Sequence, residues 1–225
     1  MSSRIGAKLR PEVLAVRPPL ASQRRAQCAA CLRPQTHCLC ALIPQLTSRT
    51  RVLIVQHPDE AKHALNTARL AALGLCNCEL LIAEQPAQLA VLLGDPAYHA
   101  CLLFPGVGAQ PLRKVSQEAV GSDARPLLLV VPDGTWRKAR KLLYLNPLLA
   151  ALPRVALAEG LSSRYRLRKA PQPGALSTLE AIVTALNVLE APESFDLLLK
   201  PFEALIDGQI SAMGADTFAR NHASS

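Results

Sequence analysis

The chain has 225 residues and a mass of 24.1 kDa, half of it hydrophobic, with a mean hydropathy of +0.18. That is ample for a buried core and excludes wholesale disorder, and the length suits one sizeable domain plus an appendage. The longest apolar stretches, such as residues 127–131, are strand-sized and far short of the ~18–20 residues of a membrane span, so a soluble globular protein with no membrane partner is expected. The net charge of +8 is concentrated in two segments: residues 1–51 hold nine Lys/Arg against Glu12, and residues 137–169 hold nine against Glu159. Two basic segments on an otherwise mildly acidic chain point to a polyanion, of which the nucleic-acid backbone is the usual one.

The first 25 residues lack the apolar core of a secretory signal, and Pro11, Pro18 and Pro19 interrupt any amphipathic helix. Residues 1–25 are expected to be a flexible basic arm of a cytoplasmic protein. In a reducing compartment, the seven cysteines would bind metal or stay free. Four cluster as Cys28-x-x-Cys31-x6-Cys38-x-Cys40, which predicts a zinc-binding segment over residues 26–48. His37 could replace one sulfur. A site closed by four thiolates has no open position, so the metal is structural. With few apolar residues of its own, the segment would draw most of its folding free energy from the metal. Cys76, Cys78 and Cys101 lie in or beside apolar runs and are expected to be buried, with Cys76-x-Cys78 a weak alternative ligand pair.

From Arg51 onward strands and helices alternate. Arg51–Gln56 reads as a buried strand, and Pro58 opens a helix predicted to continue to about residue 73. Further strands are predicted at 78–83, 99–104, 126–131 and 154–157. Helices are predicted at 88–93, 135–149, 177–189 and about 194–213, with Trp136, Ala139, Leu143 and Tyr144 available for packing in the second. Residues 159–175 read as irregular. Near-continuously apolar strands separated by helices indicate an α/β domain over residues 49–215, a mostly parallel sheet with helices on both faces, followed by a tail at 216–225. Ligands bind such sheets outside the carboxyl ends of the strands. No glycine-rich nucleotide fingerprint, nucleophile elbow or H-E-x-x-H is present.

Asp133 follows the strongest strand in a Pro132-Asp133-Gly134 turn, beside Trp136, the chain's one tryptophan. It reads as an Asx turn or helix cap, or as a carboxylate at the ligand edge of the sheet next to an aromatic plate. Arg164, Tyr165, Arg166, Arg168 and Lys169 form a basic loop with an aromatic, suited to RNA phosphates and base stacking or to a solvated surface. Ser177-Thr178-Leu179-Glu180 is a capping-box pattern. Asn66 and Arg69 fall inside a predicted helix, where Asn is a mediocre former; a surface position is expected for them, with a substrate-facing role as the alternative.

The cysteine cluster, His57-Pro58-x-Glu60, Asn66-Thr67-x-Arg69-Leu70, Leu103-Phe104-Pro105-Gly106, Asp133-Gly134-Thr135-Trp136-x-x-Ala139, and Tyr165-x-Leu167-Arg168-Lys169 through Ser177-Thr178-x-Glu180 occur in this order. Together they resemble the DTW-domain proteins, which are similar to tRNA-uridine aminocarboxypropyltransferases. The name-giving Asp-Thr-Trp stands here as Asp133-Gly134-Thr135-Trp136. The resemblance implies a SPOUT-like fold with a trefoil knot and S-adenosyl-L-methionine as co-substrate. The implied activity is transfer of its 3-amino-3-carboxypropyl group to N3 of a tRNA uridine, releasing methylthioadenosine. In that picture Asp133 is the general base or an electrostatic partner of the sulfonium, with Trp136 beside it. Leu103, Phe104, Pro105, Gly106, Val131, Pro132, Thr135, Pro171, Gln172, Ser177 and Thr178 wrap the adenosine. Arg166, Arg168 and Lys169 meet the methionine carboxylate or tRNA phosphate, and the zinc segment and basic arm grip tRNA away from the reacting base. No obligate protein partner is implied. The alternatives are an RNA methyltransferase on the same fold and a non-catalytic zinc-containing RNA-binding protein.

Overall fold

A computed structural model describes residues 26–113, 125–167, 175–214, 217, 218 and 220. The expected basic arm, most of the expected tail, and Arg168, Lys169, Pro171 and Gln172 lie outside the described residues. The trefoil knot depends on how the connections thread, and two of these include undescribed stretches, residues 114–124 and 168–174.

Six strands form one sheet: β1 (Arg51–Gln56), β2 (Cys78–Ile82), β3 (His99–Leu103), β4 (Gln110–Pro111), β5 (Leu127–Asp133) and β6 (Arg154–Ala156), ordered β2-β1-β5-β3-β6-β4. Every pairing is parallel. Each central strand is buried on both faces, which is why its sequence is a continuous apolar run and not an alternating one. Side chains of opposite parity serve two cores. Val52, Ile54, Leu129 and Val131 face α2 (Ala68–Gly74), α6 (Thr178–Leu189) and α7 (Leu199–Met213). Leu53, Val55, Leu128 and Val130 face α3 (Leu89–Leu93), α4 (Trp136–Leu145) and α5 (Pro147–Ala150). The same parity carries Gln56 and Asp133, two positions past Ile54 and Val131, toward the α2/α6 side. The two residues are also register partners, at the ends of neighbouring strands.

Two predicted helices are broken, each at an asparagine. The first splits into α1 (Pro58–Ala61) and α2. Between them Asn66 Nδ2 donates to the carbonyls of Glu60 and Ala61 at 3.3 and 3.4 Å, and its Oδ1 accepts the Arg69 N–H at 3.2 Å. Asn66 is thus partly buried and bridges two helix ends, not a surface residue inside one helix. The second splits at Asn146, whose Nδ2 donates to Leu142 O and Glu84 O, both at 2.7 Å; Pro147 follows and has no N–H to continue the ladder. Ala139, Leu142 and Leu143 pack, whereas Tyr144 is 85% exposed. Of the three outlying cysteines expected to be buried, Cys101 is; Cys78 is half-buried and Cys76 exposed, because Cys76 lies in the turn before β2. β4 was not foreseen; two residues ending in proline carry no strand pattern. Among the described residues no helix is long and apolar enough to cross a membrane.

Candidate active site

Asp133 is the last residue of β5 and is buried. Its Oδ2 accepts from Gln56 Nε2 at 2.7 Å, and its Oδ1 accepts from Thr178 Oγ1. The carboxylate is therefore gripped from β1 and from the first residue of α6. Gln56 is fully buried, and its amide pairs reciprocally with that of Asn66: Gln56 Nε2 donates to Asn66 Oδ1 at 3.1 Å and Asn66 Nδ2 donates to Gln56 Oε1 at 3.3 Å. The backbone groups that hold Asn66 fix which way its amide points, and so fix Gln56 as a donor to Asp133. The helix-cap reading of Asp133 does not hold, since Thr135 caps α4 by accepting the Lys138 N–H.

Thr178 is held by a capping box in which Ser177 Oγ accepts the Glu180 N–H and Glu180 accepts the Ser177 N–H. Glu180 also accepts from Ser163 Oγ and from the Arg164 N–H at 2.6 Å, which ties the 163–165 loop to the start of α6. The result is a cleft of about 500 Å³ whose walls include Asp133, Thr135, Tyr165, Ser177, Thr178 and Lys138.

The loop after β3 opens on the other side of the sheet. Phe104, Pro105 and Gly106 share a cleft of about 840 Å³ with Trp136, Arg140, Tyr144 and Arg154, and the Phe104 and Trp136 rings meet edge to face at 5.5 Å. The structure thus places Asp133, Thr135, Ser177 and Thr178 in one cleft and Phe104–Gly106 with Trp136 in its neighbour, separated by the turn at Gly134. Leu103 and Val131 lie in the core beneath the strand ends. In the predicted RNA loop, Arg164 pairs with Glu203 at 2.7 Å, Arg166 pairs with Asp207, and the Tyr165 ring packs on Phe202 at 5.5 Å.

Sequence reasoning gave His57 no role. It is buried, its N–H donates to Asp133 O at 3.0 Å, and its Nδ1 accepts the Asp59 N–H at 3.3 Å, which leaves Nε2–H to meet Glu84 Oε1 at 2.9 Å. The Lys141 ammonium, with His57, holds the Glu84 carboxyl below its usual range. Lys138 is pushed up by its bond to Glu60, at 2.8 Å. Gln56 was also missed. Its only signal is a glutamine closing an otherwise apolar strand.

The four sulfurs of Cys28, Cys31, Cys38 and Cys40 all lie within 4.8 Å of one another, with Cys28–Cys40 at 3.6 Å and Cys31–Cys38 at 3.8 Å. Tetrahedral zinc with Zn–S of ~2.3 Å requires sulfurs ~3.8 Å apart, so the donor set fits. The backbone N–H groups of Cys31 and Ala30 lower the Cys28 thiol to about 6, while thiol contacts, led by that with Cys28, push Cys40 up to about 12. One thiolate is favoured without a cation; four side by side require one. The segment is not supported by metal alone, because Leu39 is buried in the main core and Ile43 and Leu46 pack against it. Arg33, whose guanidinium is pushed down by burial, donates to Ala64 O at 2.6 Å and to Asn66 O at 3.1 Å. The cysteine segment thus abuts the loop that holds Asn66.

A family model described as the DTW domain matches residues 25–210. The chain is 33% identical over 199 residues to tRNA-uridine aminocarboxypropyltransferase 2 of Mus musculus, covering 84% of this chain and 65% of that protein. It is 33% identical over 198 residues to the Drosophila melanogaster protein of the same name (83% and 76%). It is 28% identical over 197 residues to tRNA-uridine aminocarboxypropyltransferase A of Arabidopsis thaliana (76% and 75%). The chain thus spans about two thirds to three quarters of the length of these relatives. No solved structure matches.

Proposed function

This chain belongs to the DTW-domain family, and we propose that it modifies tRNA by transferring the 3-amino-3-carboxypropyl group of S-adenosyl-L-methionine to N3 of a uridine. The observation that carries this reading is the Asp133 carboxylate, fixed by Gln56 and Thr178 at the end of the central strand and lining a cleft. The names of the relatives supply the reaction class.

The donor supplies an electrophilic γ-carbon beside a sulfonium, and uridine N3 is a poor nucleophile until it loses its proton. Asp133, the carboxylate at the end of the central strand, takes that proton. Its charge also favours the neighbouring cation. Residues present suit such a donor: the carboxylate for the sulfonium, and the Phe104 and Trp136 rings for a planar heterocycle. Thr135, Ser177 and Thr178 on the Asp133 cleft, and Phe104–Gly106 on its neighbour across the Gly134 turn, are the described residues we assign to the adenosine. Arg164, Tyr165 and Arg166 stand at the Asp133 side for tRNA or the donor's carboxylate; Arg168 and Lys169, assigned the same contacts from the sequence, lie outside the described residues. Exposed ion pairs like those of Arg164 and Arg166 are worth little and exchange readily for a phosphate. Cys28, Cys31, Cys38 and Cys40 would hold a structural zinc, which takes no part in the transfer.

The test is incubation with tRNA and S-adenosyl-L-methionine labelled at either the methyl or the methionine carboxyl carbon. Carboxyl label should enter RNA, with methylthioadenosine released. Methyl label in RNA would make the chain a methyltransferase, and RNA binding without either label would make it an adaptor.

A further inference from the structure

Arg137, Arg140, Lys141, Tyr144 and Leu148 recur at three- and four-residue spacing along α4 and α5, and all are exposed. Two lysines of this region are answered within the chain: Lys141 by Glu84, and Lys138 by Glu60 and Asp59. Arg140 and Arg154 are different. Among the described residues neither has an acidic partner; Arg140 donates only to the Trp136 carbonyl, at 3.3 Å. Both line the 840 Å³ cleft, together with Tyr144 and the Phe104–Trp136 pair. Gly106, at φ +146, brings the β3 loop close to Arg154, where a Cβ would lie 3.4 Å from Nη1.

Two uncompensated guanidinium groups beside an aromatic ring that is 85% exposed form a surface short of an anion and of a flat partner. A nucleotide supplies both, a phosphate for each arginine and a base for the ring. We propose that the rim of this cleft is an RNA-docking groove, in which a base of a single-stranded segment stacks on Tyr144 while Arg140 and Arg154 take flanking phosphates. The groove lies on the opposite face of the sheet from the 163–167 loop, so RNA contacts both sides of the strand ends. Identifying the polyanion as RNA rests on the tRNA reading above.

The experiment is fluorescence anisotropy of labelled tRNA against the full chain, without donor, over a salt series. Arg140→Gln/Arg154→Gln should weaken binding roughly ten-fold or more and reduce the salt slope by about two, about one per phosphate contact. Tyr144→Ser should weaken it about five-fold or more without changing the slope. Arg49→Glu, the same charge change at an exposed residue just before β1, at the opposite end of the strands from both clefts, should bind as wild type. Unfolding midpoints matching wild type confirm that each variant is folded. A double variant with unchanged affinity and slope overturns the groove, as does an Arg49→Glu effect of equal size, or a wild-type chain that binds no RNA. A chain that binds tRNA through these residues yet transfers nothing keeps the groove and sinks the activity.

Discussion

Replacing Asp133 tests the charge and the scaffold separately. In Asp133→Asn, Gln56 still presents its N–H, because the Glu60 and Ala61 carbonyls and the Arg69 N–H fix Asn66 and hence Gln56. The new amide must therefore turn its oxygen to Gln56 and its NH2 to Thr178. The threonine hydroxyl, donor and acceptor at once, rotates to accept. Both contacts survive, and stability should fall by no more than about 1 kcal/mol, the loss of charge assistance. In Asp133→Ala, the fully buried Gln56 loses an acceptor, and the cost is about 1–3 kcal/mol. Transfer should drop in both by roughly 10²–10⁴-fold, the range for a lost general base or electrostatic stabiliser. Urea unfolding gives the first comparison, and methylthioadenosine release in a single turnover gives the second. An alanine variant as stable as wild type would refute the amide-chain reasoning; an asparagine variant with normal turnover would remove Asp133 from the chemistry.

Three further outcomes are expected. Metal analysis should find one zinc per chain, and Cys38→Ser/Cys40→Ser should lose it; full metal content in that variant would move the site elsewhere. Because thiolates bind metal and thiols do not, zinc retention should decline as pH falls, read by a chromogenic chelator, and a flat profile down to pH ~4 would argue against an all-thiolate site. With the cluster metal-loaded, the exposed Cys76 should react first with a thiol reagent. Cys101, which is 4% exposed and pushed up to about 12 by burial, should react only on unfolding, and rapid labelling of Cys101 in the native state would contradict the packing of β3. In Gly74→Ala the added methyl would stand 2.4 Å from Leu198 Cδ2, in a fully buried contact, so a loss of about 1–3 kcal/mol is expected by thermal unfolding, and an unchanged midpoint would show that this junction is loose.

The strands were legible because burial on both faces writes them as unbroken apolar runs. Asp133 was legible because it ends the strongest of them. Thr178 could be found through the capping box next to it. Gln56 could not, since one polar residue at a strand end has an ordinary explanation. Asn66 was misjudged for a related reason: helical propensity flagged it, but only the break between α1 and α2 shows that its amide replaces backbone hydrogen bonds. The division of the expected adenosine loops between two clefts follows from parity. Phe104 follows Leu102 on the α4 side and Asp133 follows Val131 on the α6 side, an alternation visible only once the register of β3, β5 and β1 is known.

Arg33 leaves the cysteine knuckle to clasp the backbone at Ala64 and Asn66, and Asn66 in turn steadies Gln56 against Asp133. A preparation starved of zinc would therefore fail from a distance: the sheet would survive on its own core while the far end of the tether went slack, so that metal occupancy would set specific activity long before it altered the amount of folded protein.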